Sequence, residues 1–387
     1  MSVKFILGRG GSGKSTYMLD KIQERVQDNE TSPVILLLPE QYTFEMEKRI
    51  SKLFSGDKKD KYLRARVLSF KTMGNIVFSN VGGLTDVNIN SSGNAMITYR
   101  AIESASNDLE IFSKSASQSG FVNSISEMIS ELKQLNISYE KLEVIAEEIE
   151  NETLKLKLKD LSKIYKQFEE KLHENYIDSQ DMLNSLAEKI EACDYFKDAY
   201  IYIDEFTGFT PIQNQLIKKL FVISKKIYVT LTIDCREDIF KSRGMQELFD
   251  MPKRTVKSLT EMAAFYGIEV EEPIILDKNY RLAENEELSF MEQQLFRKRR
   301  CSFKKVPKHI HIDCLRDPKQ ELTKIARRIN ELVRNENLRY RDIAIVTGDV
   351  NIYAGYVREI FDKYNIPYFI DATQEILFHP FIEFIRS

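Results

Sequence analysis

The stretch Gly8–Ser15 reads GRGGSGKS, an unbroken G-x-x-x-x-G-K-[ST], and it constrains the fold more than any other feature of the chain. Such a loop works only between a strand and a helix. Its flanks comply, with an apolar run over 4–7 before it and a helical pattern from about Ser15 to Gln27 after it. Glycine lets the backbone curl so that successive N–H groups face one concavity, and together with the helix N-terminus they seat phosphate oxygens. Four of the 15 glycines stand here, at 8, 10, 11 and 13. The candidate nucleotide site is therefore Gly8, Arg9, Gly10, Gly11, Ser12, Gly13, Lys14, Ser15 and Thr16. Lys14 would reach the β- and γ-phosphates of ATP, and the Ser15 hydroxyl would be a Mg²⁺ ligand.

A phosphate loop needs a carboxylate at the end of a neighbouring strand to hold the metal. The run Tyr200, Ile201, Tyr202, Ile203, Asp204, Glu205 supplies one. Asp204 is the candidate Mg²⁺ ligand, and Glu205 is the candidate general base that polarises an attacking water. An apolar strand ending in two acids means little alone and gains its meaning from the loop.

Strand, helix, strand is the order of a parallel α/β sheet covered on both faces. Further apolar runs at 34–38, 65–69, 199–203 and 226–233 extend it. Between them the chain turns helical, over 95–104, 119–135 and 153–176, with no convincing strand. After Pro273 a second α/β order is expected, with strands at 309–315, 342–347 and 368–370 around helices at 320–335 and 353–364. The helix-like ending HPFIEFIRS has no cap or polar tail, which suggests a piece of a longer protein.

Length and composition limit the alternatives. At 387 residues the chain exceeds the roughly 250 at which one core stops growing. A balance of 56 Lys+Arg against 59 Asp+Glu describes neither an acidic tail nor a basic DNA-coating protein. The longest apolar run, Val34 to Leu38, falls far short of the roughly 18 residues of a membrane span. The N-terminus lacks the pattern of a secretory signal. Four cysteines without CxxC spacing suit a reducing cytoplasm.

Nearly two hundred residues, largely helical, separate the loop from Asp204. That spacing resembles superfamily 1 DNA helicases, in which a helical subdomain interrupts the first motor domain. YIDSQDML at 176–183, the block IYIDEFTGFTPIQNQLIKKL from Ile201 and LDKNYRL at 276–282 are similar to their motifs. In that comparison Arg281 falls where the family has an arginine that reaches the γ-phosphate. FILGRGGSGKS, LLLPEQYTFEMEKRI, IAIVTGDVNIYAGYVREIFDKYNIPYFID and ILFHPFIEFIRS resemble the AddB family more closely, the B subunits of AddAB helicase-nucleases.

The resemblance implies a P-loop motor-like domain over 1–90 and 195–275, a helical insertion over 91–194, and a truncated second motor-like domain over 276–387. It implies ATP and Mg²⁺ as cofactors, DNA as substrate, an A subunit as heterodimeric partner, and no membrane. The family's iron-sulphur cluster and nuclease metal are expected only in a C-terminal part absent from this chain. Thr207 and Gly208 stand where active helicases carry Gln-Asp, and VTLTIDCREDIF, 229–240, has Asp234 without a following sensor Gln. Those departures imply a degenerate motor used for DNA handling and Chi recognition in break repair. An active superfamily 1 translocase is the first alternative, and a scaffold with a vestigial P-loop is the second.

Candidate DNA contacts are Gln41, Tyr42, Phe44 and Phe70, which follow strands and include rings on which a base could stack. The basic run Arg297, Lys298, Arg299, Arg300, continuing to Lys305, could meet phosphates or be a solvated loop. Cys301, His309, His311 and Cys314 lack zinc-site spacing and read as ordinary strand residues.

Overall fold

The computed structural model describes residues 1–28, 31–54, 64–83, 87–115, 118–174, 176–296, 301–371 and 380–386. Among these the chain divides into two compact units, Met1–Ser302 and Phe303–Ser387.

The first unit is built on seven strands, β1 (Ser2–Gly8), β2 (Val34–Leu37), β3 (Ala65–Leu68), β6 (Tyr200–Ile203), β7 (Lys226–Thr232), β8 (Glu269–Val270) and β9 (Ile274–Leu276). Their order is β3-β2-β6-β7-β1-β8, with β9 also on β1. Every pairing in the sheet is parallel. Gly8 lies opposite Thr232 and Leu37 opposite Ile203, so the carboxyl ends of β1, β2, β6 and β7 open on one edge. In open parallel sheets that edge is where ligands bind.

Why these runs became strands is clear from their burial. A parallel sheet covered on both faces needs apolar residues at every position, not alternate ones. Successive side chains point to opposite faces. Phe5, Leu7, Ile35, Leu37, Ile201 and Ile203 enter one core, while Ile6, Val34, Leu36, Tyr200 and Tyr202 enter the other. Burial of such a side chain is worth about 1.5–3 kcal/mol. The first core is covered by α3 (Phe70–Val81), α8 (Ser179–Lys189), α9 (Pro211–Ile223) and α10 (Asp250–Phe265), and the second by α1 (Lys14–Gln27) and α2 (Glu40–Leu53). Thr210 and Gln213 cap α9 reciprocally and Pro211 takes its first turn, which fixes where the chain leaves the loop after β6.

The helices α4 (Ser91–Ala105), α5 (Ser119–Gln134), α6 (Tyr139–Glu148) and α7 (Glu152–Leu172) enclose a separate core that includes Ile102, Ile129, Ile164 and Phe168. The sequence shows no strand here, yet β4 (Val87–Asn88) and β5 (Tyr176–Ile177) pair in parallel. Two-residue pieces are too short to leave a periodicity.

The first unit continues past residue 276, because β9 joins β1 and the segment after it docks on the phosphate loop. It includes α11 (Glu286–Gln294). In the second unit α12 (Pro318–Asn335) and α13 (Asn351–Lys363) pack through Leu322, Ala326, Ile329, Ile360 and Phe361, and α14 (Pro380–Arg386) follows. The strands expected at 309–315, 342–347 and 368–370 do not form among its described residues. Apolar alternation favours a strand only where a neighbour completes the ladder, and Ile312, Val346 and Phe369 are 93%, 92% and 88% exposed. No helix among the described residues is long and apolar enough to cross a membrane, and all four cysteines are free.

Candidate functional site

The loop after β1 turns through Gly11 and Gly13, at φ 82° and 85°. A side chain in that left-handed region costs roughly 1–2 kcal/mol. At Gly11 space forbids one as well, since a Cβ would lie 2.7 Å from Asn279 Oδ1 and 2.8 Å from the Arg281 Cβ. The Lys14 ammonium folds back to donate to the carbonyls of Gly8 and Arg9, each at 3.0 Å. Burial lowers its pKa, and Asp204 and Glu205 pull the other way.

Asp204 follows β6 and is 2% exposed. Its Oδ1 accepts the Glu205 N–H at 2.9 Å and the hydroxyl of Thr230 from β7. Its Oδ2 is buried and has no partner, and Ser12 Oγ in the loop is also without one. Leaving a buried polar atom unmatched costs about 1–3 kcal/mol, more for a charged group. Such an atom calls for an explanation, and here both lie at the carboxyl edge of the sheet where the phosphate loop and β6 end.

Glu205 sits in the left-handed region at φ 63°, a strained conformation for a residue with a side chain. It accepts the Ser15 hydroxyl at 3.3 Å. Burial, then the neighbouring Asp204, raise its pKa. The edge thus assembles hard oxygen donors, Asp204 Oδ2 and Ser15 Oγ, beside a lysine and a glycine-lined cradle. This donor set fits Mg²⁺, which prefers oxygen.

All the sequence candidates for the nucleotide, Gly8 to Thr16, Asp204, Glu205 and Arg281, come to this one edge. Arg281 arrives because the segment after β9 lies on the loop, with the backbone N–H groups of Tyr280 and Arg281 directed at the Gly11 carbonyl at 2.9 and 3.4 Å. Four contributors escaped the sequence reading. Thr230 holds Asp204, Asn279 donates to the Gly10 carbonyl at 3.0 Å, the Tyr280 ring lies 3.6 Å from where a Gly13 Cβ would be, and Glu292 pairs with Arg9 at 2.7 Å. Asn279 and Tyr280 belong to the quoted LDKNYRL, so a signal existed for them. Thr230 lies within the quoted VTLTIDCREDIF but nothing there marks its hold on Asp204, and Glu292 left no signal.

The family described as ADDB, N-terminal, matches residues 5–292. The chain belongs to the AddB family. Over its whole length it is 52% identical to the B subunit of the ATP-dependent helicase/deoxyribonuclease of Clostridioides difficile (strain 630). It is 41% identical to the B subunit of the same name from Thermoanaerobacter sp. (strain X514) and 37% to that from Clostridium novyi (strain NT). The chain spans about a third of the length of these curated relatives, 34%, 33% and 34% respectively.

The places where this AddB chain departs from helicase motifs have structural counterparts. Asp234, at the end of β7, is clamped by its own neighbour, the Arg236 guanidinium reaching both carboxylate oxygens at 2.7–3.1 Å. Unlike Asp204, it keeps no buried oxygen open. Thr207 and Gly208 pack on α10, where the Thr255 hydroxyl donates to the Thr207 carbonyl at 3.0 Å.

The candidate DNA residues separate. Gln41, Tyr42 and Phe44 lie exposed on the first turn of α2, just beyond the carboxyl end of β2. Phe70 does not join them. It is 8% exposed, belongs to the sheet core and meets the Phe206 ring at 5.6 Å, so no base can stack on it. As the first residue of α3 its ring turns into the sheet core and onto Phe206, and apolar packing there outcompetes exposure. Arg297, Lys298, Arg299 and Arg300 lie outside the described residues.

Proposed function

We propose that this chain is the Mg·ATP-binding, DNA-engaging N-terminal region of an AddB-type helicase-nuclease subunit. It would work with an A subunit on DNA double-strand breaks destined for recombinational repair, in the cytoplasm. The names of its relatives support the helicase-nuclease context. The observation that carries the nucleotide reading is the unpartnered, buried Asp204 Oδ2, on a carboxylate that acts on Lys14 of the glycine-rich loop.

In this reading the backbone N–H groups of the loop seat the phosphates, Lys14 exchanges its carbonyl partners for phosphate oxygens, and Asp204 and Ser15 hold Mg²⁺. Bound Mg²⁺ supplies charge neutralisation of the phosphates. Thr230 keeps the Asp204 carboxylate oriented. Glu205, with its raised pKa and its hydrogen bond from Ser15, is the group able to take a proton from water. Arg236 favours a weakened motor over an active translocase, because it occupies Asp234 where a sensor glutamine would otherwise read the γ-phosphate. A vestigial, purely structural P-loop is disfavoured by the cost of keeping Asp204 Oδ2 unmatched.

Calorimetric titration of Mg·ATP into the chain and into its Lys14→Ala variant tests the reading. Binding that Lys14→Ala weakens at least about tenfold, a change of 1.4 kcal/mol, is expected. An identical dissociation constant for the two proteins would overturn it.

A further inference from the structure

Arg9 is the one residue between Gly8 and Gly13 with a long charged side chain, and it points away from the cradle. It is 9% exposed. Among the described residues its guanidinium has one ion-pair partner, Glu292 on α11, with Nη1 donating to Oε2 at 2.7 Å. The backbone of the same residue does the opposite task. The Arg9 carbonyl accepts the Lys14 ammonium at 3.0 Å and the Ser12 N–H at 3.2 Å. Arg9 therefore joins an external anchor to the carbonyl that sets the lysine.

The anchor is connected further. Glu292 acts electrostatically on Arg236, whose pKa is raised first by its hydrogen bond to Asp234 and then by nearby acids including Glu292. One carboxylate on α11 thus pairs with a guanidinium of the phosphate loop and lies near enough to Arg236 to act on it electrostatically. The chain that leads to α11 is itself fastened to the loop, through the Asn279 amide on the Gly10 carbonyl and the Tyr280 N–H on the Gly11 carbonyl. A loop whose glycines at 10, 11 and 13 leave its backbone loose needs such outside fixings to hold one shape.

We propose that Glu292 is a positioning residue for the phosphate loop, which through Arg9 fixes the carbonyl and the backbone turn that hold Lys14 ready for phosphate. The proposal rests on the reading of the loop as a Mg·ATP site, and Glu292 itself touches no nucleotide. An ion pair that served only stability would affect unfolding without changing the local motion of residues 9–14. A positioning pair must change that motion in the folded, nucleotide-free protein.

The test uses hydrogen–deuterium exchange of peptides covering residues 5–17, without nucleotide, and Mg·ATP titration, on the wild type and on Glu292→Gln, Arg9→Lys and the swap Arg9→Glu with Glu292→Arg. Glu292→Gln keeps the side-chain volume and an acceptor oxygen, so it avoids leaving Arg9 buried with no partner at all. Faster exchange in the loop of Glu292→Gln, with strand β7 unchanged, is expected, together with Mg·ATP binding about tenfold weaker, a change of about 1.4 kcal/mol. Arg9→Lys should fall between wild type and Glu292→Gln, and the swap should recover part of the loss. Loop exchange and affinity that both match wild type would overturn the proposal, as would weaker binding with unaltered loop exchange. If loop exchange rises but the wild type itself binds no Mg·ATP, the anchoring by Glu292 stands and the nucleotide reading falls.

Discussion

Lys133 and Asp204 are both ionisable and both buried, and the protein treats them in opposite ways. The Lys133 ammonium, on α5, meets Glu169 of α7 at 2.9 Å and Asp178 and Asp181 at the start of α8 at 2.7 Å each. Asp178 also caps α8, accepting the N–H groups of Gln180 and Asp181 at 2.9 Å. No atom of this cluster is among the described buried atoms without a partner, whereas Asp204 Oδ2 is. Glu169, His173 and Asp181 lie close enough together to suggest a metal site. The lysine already supplies the cation there. Saturated burial joins the helical insertion to a helix of the sheet core, while the unpartnered Asp204 Oδ2 lies at the sheet edge beside the phosphate loop, where the proposed nucleotide would sit. Four expected outcomes test that division, in order of their effect on stability.

Replacement of Lys133 by Met should be the most damaging. It strands three carboxylates in a buried site, and breaking a buried ion pair from one side costs about 3–5 kcal/mol. Urea unfolding at pH 7 should record that loss. Acidification should restore part of it, because the stranded carboxylates can then take up protons. A loss below about 1 kcal/mol would mean that the cluster does not organise the insertion.

The second outcome concerns pH. Burial, only partly offset by Lys133, pushes the Asp181 carboxyl up to about 6 from its ordinary 3.8. Between about pH 4 and 6 the folded chain keeps a proton that the unfolded chain releases. This group's contribution is therefore complete below about pH 4 and is lost as pH rises through about 6. The stability of wild type relative to Asp181→Asn should fall across that window, by up to about 3 kcal/mol. Parallel pH profiles for the two proteins would break the assignment.

Asp204→Asn comes third and should reverse the pattern. Its retained oxygen still accepts from Glu205 and Thr230, and only the unpartnered Oδ2 is replaced, so stability should change by less than about 1 kcal/mol. Mg·ATP affinity should drop at least about tenfold, and ATP affinity in EDTA much less. Strong destabilisation with intact Mg·ATP binding would place Asp204 with Lys133 as architecture.

What could be read from the sequence follows the same line between local and long-range causes. Loop, strand and first helix were legible because Gly8–Ser15 is contiguous and its chemistry is local. Asp204 and Glu205 were legible from their place after an apolar run, and the two-sided burial of the sheet from runs such as Val34–Leu38. Thr230 and Glu292 were not, since each acts through a contact that only the fold creates, at separations of 26 and 283 residues. The strands of the second unit failed for a related reason. Alternation at 309–315 states a preference, and no strand pairs with it among the described residues. Phe70 could not be told apart from an exposed ring, because a ring after a strand looks the same in sequence whether it turns to solvent or into the sheet core beside Phe206.

Phe44 should have the smallest effect on stability, and it tests the exposed side of the comparison. The ring is 77% exposed on α2, near the edge that carries Asp204. Truncation at such a surface position usually changes stability by less than about 0.5 kcal/mol, so Phe44→Ala should unfold with wild type. If a single-stranded base stacks on it, the variant should bind single-stranded DNA more weakly by about 1–3 kcal/mol. Because stacking is not electrostatic, the slope of log affinity against log salt should stay unchanged, in contrast to a lysine or arginine that meets phosphate and contributes roughly 0.9 to that slope. Fluorescence anisotropy with a labelled oligonucleotide over a salt series reads both quantities. Unchanged affinity at every salt concentration would remove Phe44 from the DNA path and leave Gln41 and Tyr42 as the candidates on that turn.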